Sequence, residues 1–291
     1  MELLKNDSCS EFKLPAKNPF IPQSFSIDHE KFEGQVPMKI SENIWLLKDT
    51  KFLLPKIIGK FIIGNEDCFE LKASCSMLLL IEMMKDVLDE SLYDASLAGF
   101  NFQIGLKTEG LEISLSGFSD KFDVFVNEFF RCLASLSLSP SRFSNYKEKT
   151  LRKLKSAVNE VPYWLISQYS TAAIQKPFHL FTDQIPVVEM LEFSDIQNYL
   201  KDLLNRNFLE CFFFGNINTS KCSFIAGKIQ EILHSSRIKR NKIVIKNVPV
   251  GKEIIEIPGE NLLNSAIDNY IQVFILSHFR FAHFLIGICM L

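Results

Sequence analysis

Two metal ligands share one face of a helix only when they stand three or four residues apart, and the five histidines of this sequence, His29, His179, His234, His278 and His283, provide no such pair. Neither an HExxH run nor an inverted HxxEH run occurs. His29 lies beside Glu30 in a proline-marked segment, where a solvated imidazole is the expected state, and His278 and His283 fall in an apolar run read as strand or tail. Nucleophile chemistry has no better footing: there is no GxSxG elbow, and no cysteine can be tied to a histidine by spacing. The glycines form neither GxGxxG nor GxxxxGK, so no phosphate cradle is expected. The acidic set Glu82, Asp86, Asp89 and Glu90, with Lys85 among them, reads as the solvated face of an amphipathic helix. Catalytic residues, none; cofactor-binding residues, none; metal ligands, none: that is the expectation for this chain.

Composition narrows the classes further. A formal charge of -2 leaves no cationic excess to neutralise phosphates, which removes nucleic acid from the expected partners. The 47% apolar content over 291 residues is ample for a packed core. Seven scattered cysteines, odd in number and without a CxxC pair, read as reduced, mostly buried thiols of a cytoplasmic protein. The opening residues MELLKNDSCSEFKLPAKNPFIP hold charges throughout and no apolar stretch of signal-peptide length. From Tyr270 the run YIQVFILSHFRFAHFLIGICML approaches spanning length, but His278, Arg280 and His283 interrupt it and no cationic flank accompanies it; a strand and tail are expected in place of a membrane span.

Positioning elements follow from the periodicities. Prolines 15, 19, 22 and 37 mark an extended segment over residues 1–35. Ile44–Lys48 and Lys56–Ile63 read as two adjacent strands around the Pro55 break. Met77, Leu80, Ile81, Met84, Val87, Leu88 and Leu92 recur at helical spacing, with Gly99 as the cap. Leu111, Ile113 and Leu115 then alternate with polar residues as a strand closed by Gly117. Helices are expected over 120–136, from Ser139-Pro140 to about Asn159, around Trp164–Ala173, over 194–204 with Ser194 as N-cap, and from Thr219 to about His234, with a buried strand over 208–214. That order is neither alternating βαβ nor all-helical, so the fold class expected is α+β, a sheet covered by helices on one face. The basic stretch RIKRNK at 237–242 reads as an interdomain linker, and Ile243–Val250, Glu253–Ile257 and Ser265–Leu276 as the opening strands of a second, incomplete domain.

Specific words in the chain carry a resemblance. They are NPFIP (18–22), WLLKDTKFLLPK (45–56), MMKDVLDESLYDASLAG (83–99), GLEISLSGFSDK (110–121), RFSNYKE (142–148), EVPY (160–163), FGNI (214–217) and NSAIDNYIQ (264–272). In this order and spacing the chain resembles the middle of the insulin-degrading enzyme and nardilysin branch of the M16 (pitrilysin) metallopeptidases. The resemblance implies a mixed, largely antiparallel sheet and a place among homologous α+β domains whose two halves close around a peptide, with zinc held by the first domain alone. It implies 36–235 as the third, non-catalytic domain, 1–35 as an extended linker leading into it, and 236–291 as an interdomain linker with a truncated start of a fourth domain and an apolar tail that departs from the family near Val273. By analogy the helix over 75–92 stands where the first domain carries its zinc histidines; here LLIEMM offers Glu82 with no flanking histidine, either a relic of the general base or a helix-surface glutamate.

What the resemblance implies for function is a non-catalytic segment of a zinc metalloendopeptidase that helps enclose and position peptide substrate, inactive alone. Its implied partners are peptides and the missing catalytic half of the same protein or a full-length homologue. The alternative is a short isoform acting as a peptide-binding or regulatory module.

Overall fold

The computed structural model describes residues 16–28, 36–235, 238, 240, 242–248, 254–257, 265–273 and 282–290. His29, Glu30, His278, Arg280 and the side chain of His283, all singled out above, lie outside the described part, as do Cys9 and the side chain of Cys289 among the seven cysteines.

Six strands form one sheet: β1 (Met38–Ser41), β2 (Ile44–Lys48), β3 (Lys56–Gly64), β4 (Asn101–Lys107), β5 (Gly110–Phe118) and β7 (Phe208–Gly215), in the order β1-β2-β7-β3-β5-β4. Every neighbouring pair is antiparallel except β2 with β7. The expected adjacency of β2 and β3 is therefore corrected: β7 lies between them, paired parallel to one and antiparallel to the other. Its sequence FLECFFFG explains the placement, because an almost continuous apolar run suits a central strand and would be wasteful at an edge. Strand β4 had no counterpart in the sequence reading, although Phe102, Ile104 and Leu106 alternate within it as a half-buried strand requires.

Helices α1 (Leu71–Ser91), α2 (Tyr93–Leu97), α3 (Phe122–Ala134), α4 (Phe143–Val158), α5 (Pro162–Ile174), α6 (Phe181–Met190), α7 (Phe193–Asn205) and α8 (Thr219–Leu233) complete the layer. Helix α1 is buried nearly all round over its first four turns, through Cys75, Met77, Leu79, Leu80, Ile81 and Met84, so it forms the centre of the helical layer. Between α3 and the sheet sits an aromatic cluster: Phe61 meets Phe130 and Phe213 edge-on at centroid separations of 5.3 and 5.6 Å, and Phe100 lies 4.9 Å from Phe125. Each such ring removed from water contributes about 1.5–3 kcal/mol.

Four local expectations change for identifiable reasons. Gly117 does not close its strand; a Cβ there would lie 2.0 Å from the Phe100 ring, so the glycine is a socket in a strand that continues to Phe118. Gly99, at φ +83, caps α2 and not the long helix before it. The N-cap of α7 is Glu192, reciprocally bonded with Asp195, which moves Ser194 inside the helix. At α8 the cap is Asn218, whose side chain accepts from the Lys221 amide at 2.8 Å.

Beyond Leu233 the expected strands are only partly formed. Among the described residues of 243–250 only β8 (Val244–Ile245) pairs, against β6 (Gln175–Lys176), and residues 254–257 form no strand. The apolar C-terminal run contributes to an antiparallel pair of β9 (Ala266–Val273) with β10 (Ala282–Met290), with β9 lying against α5. Among the described residues no helix is long and apolar enough to cross a membrane.

Candidate functional site

Among the described residues the chemistry-bearing side chains do not converge. His179 holds the Phe69 carbonyl at 3.0 Å through Nε2, while His234 ends α8 in the left-handed conformation. Among the described residues no group of three His, Cys, Asp or Glu side chains is placed to hold a metal ion. Burial pushes the Cys68 and Cys75 thiols up to about 11 and Cys222 to about 12, and raises Cys211 further still. At neutral pH these are protonated packing groups, not nucleophiles.

Glu82 departs from the solvated-face reading. Its two carboxylate oxygens each accept from an ammonium group of α4, Lys149 and Lys153, at 2.8 Å, and the side chain is 14% exposed. Asp86, one turn on, accepts from the Tyr146 hydroxyl. Glu82 and Asp86 thus form a polar seam against α4, while Asp89 and Glu90 stay exposed as expected of a solvated face. A site whose carboxylate already faces two cations does not fit a zinc ion, which needs three protein donors and a water, so no metal step is assigned to this chain.

The opposite face of the sheet is the concave surface that remains. In strands β3, β5 and β7 the inward set Ile57, Phe61, Ile63, Leu111, Ile113, Leu115, Leu209, Cys211 and Phe213 packs under the helices. The alternate set points away from them. Register places Trp45 beside Phe212, then Lys60, Ser114 and Gln103 in one row across the sheet, with Leu47, Phe214, Ile58, Ser116 and Asn101 in the next. These residues are half-buried or exposed, so no described helix covers this face. A groove of about 480 Å³ opens on it, bounded by Val36, Pro37, Trp45, Lys60, Ile62, Glu112, Glu210, Phe212 and Arg240. Arg240 bonds Glu109 at 2.7 Å and also Glu210, which ties the expected linker stretch to the rim of the groove. Lys39 stands over the Trp45 ring at 5.4 Å. The surface therefore offers aromatic and aliphatic area framed by paired charges, suited to holding an amphipathic chain.

The architecture and this face can now be set against known proteins. The family model described as the middle or third domain of peptidase M16 matches residues 1–185. The chain belongs to the peptidase M16 family. Insulin-degrading enzyme from Drosophila melanogaster is 26% identical to this M16 chain over 257 residues, 86% of the chain and 26% of the relative. The A-factor-processing enzyme of Saccharomyces cerevisiae is 26% identical over 281 residues, 91% of the chain and 27% of the relative. The chain spans about a quarter of the length of these curated relatives. Among solved structures, pitrilysin shares the fold at a TM-score of 0.68 with 16% identity, covering 89% of the chain and 26% of pitrilysin. A peptidase M16 inactive domain from Pseudomonas fluorescens shares it at 0.53 with 13% identity, covering 71% of the chain and 53% of that domain. The mixed, largely antiparallel α+β fold expected from the resemblance is the fold observed.

Sequence reading located β2, β3, β5 and β7 of the open face but neither β1 and β4 nor the face itself. The missed signal was Trp45, Phe212 and Phe214, which occupy outward positions where a water-facing strand would carry polar residues.

Proposed function

We propose that residues 36–235 act as the non-catalytic third domain of an insulin-degrading-type zinc metalloendopeptidase, with the open sheet face forming part of the wall that encloses and positions a peptide. On this reading 1–35 leads into the domain and 236–291 leads out of it, and bond cleavage belongs to a zinc-bearing partner: the remainder of a longer protein or a full-length homologue. The observation that carries the reading is a groove lined by Trp45, Ile62 and Phe212 on a sheet face that no described helix covers. Confining a peptide against such a wall lowers the entropy of bringing its scissile bond to a distant site, a contribution that needs no reactive side chain here. Protonated, buried thiols suit a reducing compartment such as the cytoplasm.

The test uses the 291-residue chain with insulin B chain as probe. Fluorescence anisotropy of fluorescein-labelled insulin B chain should show saturable binding, weakened about tenfold by joint Trp45→Ala and Phe212→Ser replacement, which removes aromatic contact area. Incubation with zinc should yield no cleavage that a chelator abolishes. Chelator-sensitive cleavage, or binding indifferent to the double replacement, would sink the reading.

A further inference from the structure

The two edges of the sheet are not equivalent. Strand β1 has four residues, a register shift between Lys39 and Ser41, and Pro37 just before it, all of which discourage a further strand from pairing. Strand β4 has none of these guards. It runs seven residues in unbroken register with β5, contains no proline, and carries one charge, Lys107 at its end, tied to Glu112 at 3.6 Å. Among the described residues nothing pairs with its outer side.

Gly105 lies in the middle of this edge. Its φ is not in the left-handed region, and a Cβ built there meets no atom within 4 Å. Among the described residues nothing therefore demands glycine, although glycine weakens a strand relative to alanine. Gly105 shares the open face with Gln103, and on the other side of the strand Phe102 and Leu106 stand half-buried as an apolar ledge. An unpaired ladder with a vacant mid-strand position fits an approaching backbone whose large side chain lies over the glycine, as aromatic residues do across from strand glycines.

We propose that the outer edge of β4 receives an extended peptide as a seventh strand of the sheet, with an aromatic side chain of the peptide over Gly105 and apolar side chains on the Phe102–Leu106 ledge. The inference rests on the peptide-wall reading above and gives it a location and a preferred sequence pattern. Main-chain hydrogen bonds supply affinity, and the glycine vacancy with its flanking ledge supplies selectivity.

The decisive experiment is fluorescence anisotropy of the 291-residue chain with a fluorescein-labelled synthetic peptide alternating threonine and valine around a central phenylalanine. Two N-methylated forms distinguish strand pairing from other contact, because only one of the two alternating sets of peptide amides faces β4. Methylating that set should weaken binding at least about tenfold and methylating the other should leave it unchanged. Gly105→Trp, which fills the vacancy from the protein side, should weaken binding about tenfold while the unfolding midpoint stays as in the parent. Binding that ignores both N-methyl sets and Gly105→Trp, yet falls with the Trp45→Ala and Phe212→Ser pair, would overturn the edge site and leave the wall reading standing. Failure of the unmodified chain to bind either this peptide or insulin B chain would overturn both.

Discussion

Glu82 is where the chemistry of this chain was most open to misreading, and its surroundings decide its role. Burial on its own would raise the carboxyl, but hydrogen bonds and charge from Lys149 and Lys153 outweigh it and hold the group below the ordinary glutamate value of 4.5. A lowered value in the folded state means that the pair stabilises the fold above the unfolded value, and that this stabilisation is lost as pH falls through the folded one. Both lysines are more than half exposed, so solvent screens much of the attraction. Glu82→Gln should therefore cost about 1 kcal/mol in urea unfolding at pH 7, and the difference between parent and variant should vanish as pH falls through the lowered folded-state value of the carboxyl. A difference that persists at low pH would point to packing and not charge. The sequence disclosed that Glu82 has no histidine beside it, but not that two lysines some seventy residues later would occupy its oxygens.

At the scale of elements, the segment over 16–28 shows how an irregular stretch is fixed without secondary structure. Phe20 enters the core between Phe100 and Phe125 at 6% exposure. The Gln23 and Ser24 amides donate to Asp120 at 2.7 and 3.2 Å, and Asn216 accepts from the Asp28 amide while donating to the Ser26 carbonyl. Lys48, 5% exposed, pairs with Asp28 at 3.3 Å. Phe20→Ala should cost about 3 kcal/mol, since it empties an aromatic slot, and should open Lys17 to trypsin before the sheet unfolds. Limited proteolysis followed by mass spectrometry reads both; cleavage at the parent rate would mean that the polar clasp holds the segment without the ring. Prolines made the extended course legible, but the partners of Phe20 are Phe100, just before β4, and Phe125 of α3, separated from it by long stretches of chain. The same limit applies to β4 itself. Its alternation is visible once known, yet the glycine within it, NFQIGLK, weakens the strand signal at the position where the edge has its vacancy.

For the whole molecule, the six-stranded sheet and its eight helices fall within Met38–Leu233, and the later strands touch this body through α5, β6 and the Arg240 clamp. A chain cut after Val248 retains β8 and Arg240, so its unfolding midpoint should stay within about 2 °C of the parent by calorimetry. A fall much beyond that would show that β9 and β10 contribute to the main cooperative unit. Helix α5 supplies a reason to look: it carries Tyr163, Trp164, Leu165 and Ile166 in succession, yet none of its residues is buried, and Tyr163 and Trp164 remain 41% and 38% exposed.

By itself the sequence determined the fold class and the long helices, because periodicity is a local property that survives without knowledge of neighbours. It determined the absence of HxxEH, since that motif is a matter of spacing along one helix. The words carrying the M16 resemblance were legible for the same reason. Only the tertiary structure decided that β7 divides β2 from β3, that two lysines pair with Glu82, that Gly117 houses Phe100, and that no described residue pairs with the β4 edge and no described helix covers one sheet face. Each of these depends on which distant residues meet, and strand order and side-chain partners are set by packing of the whole core, not by any window of the chain.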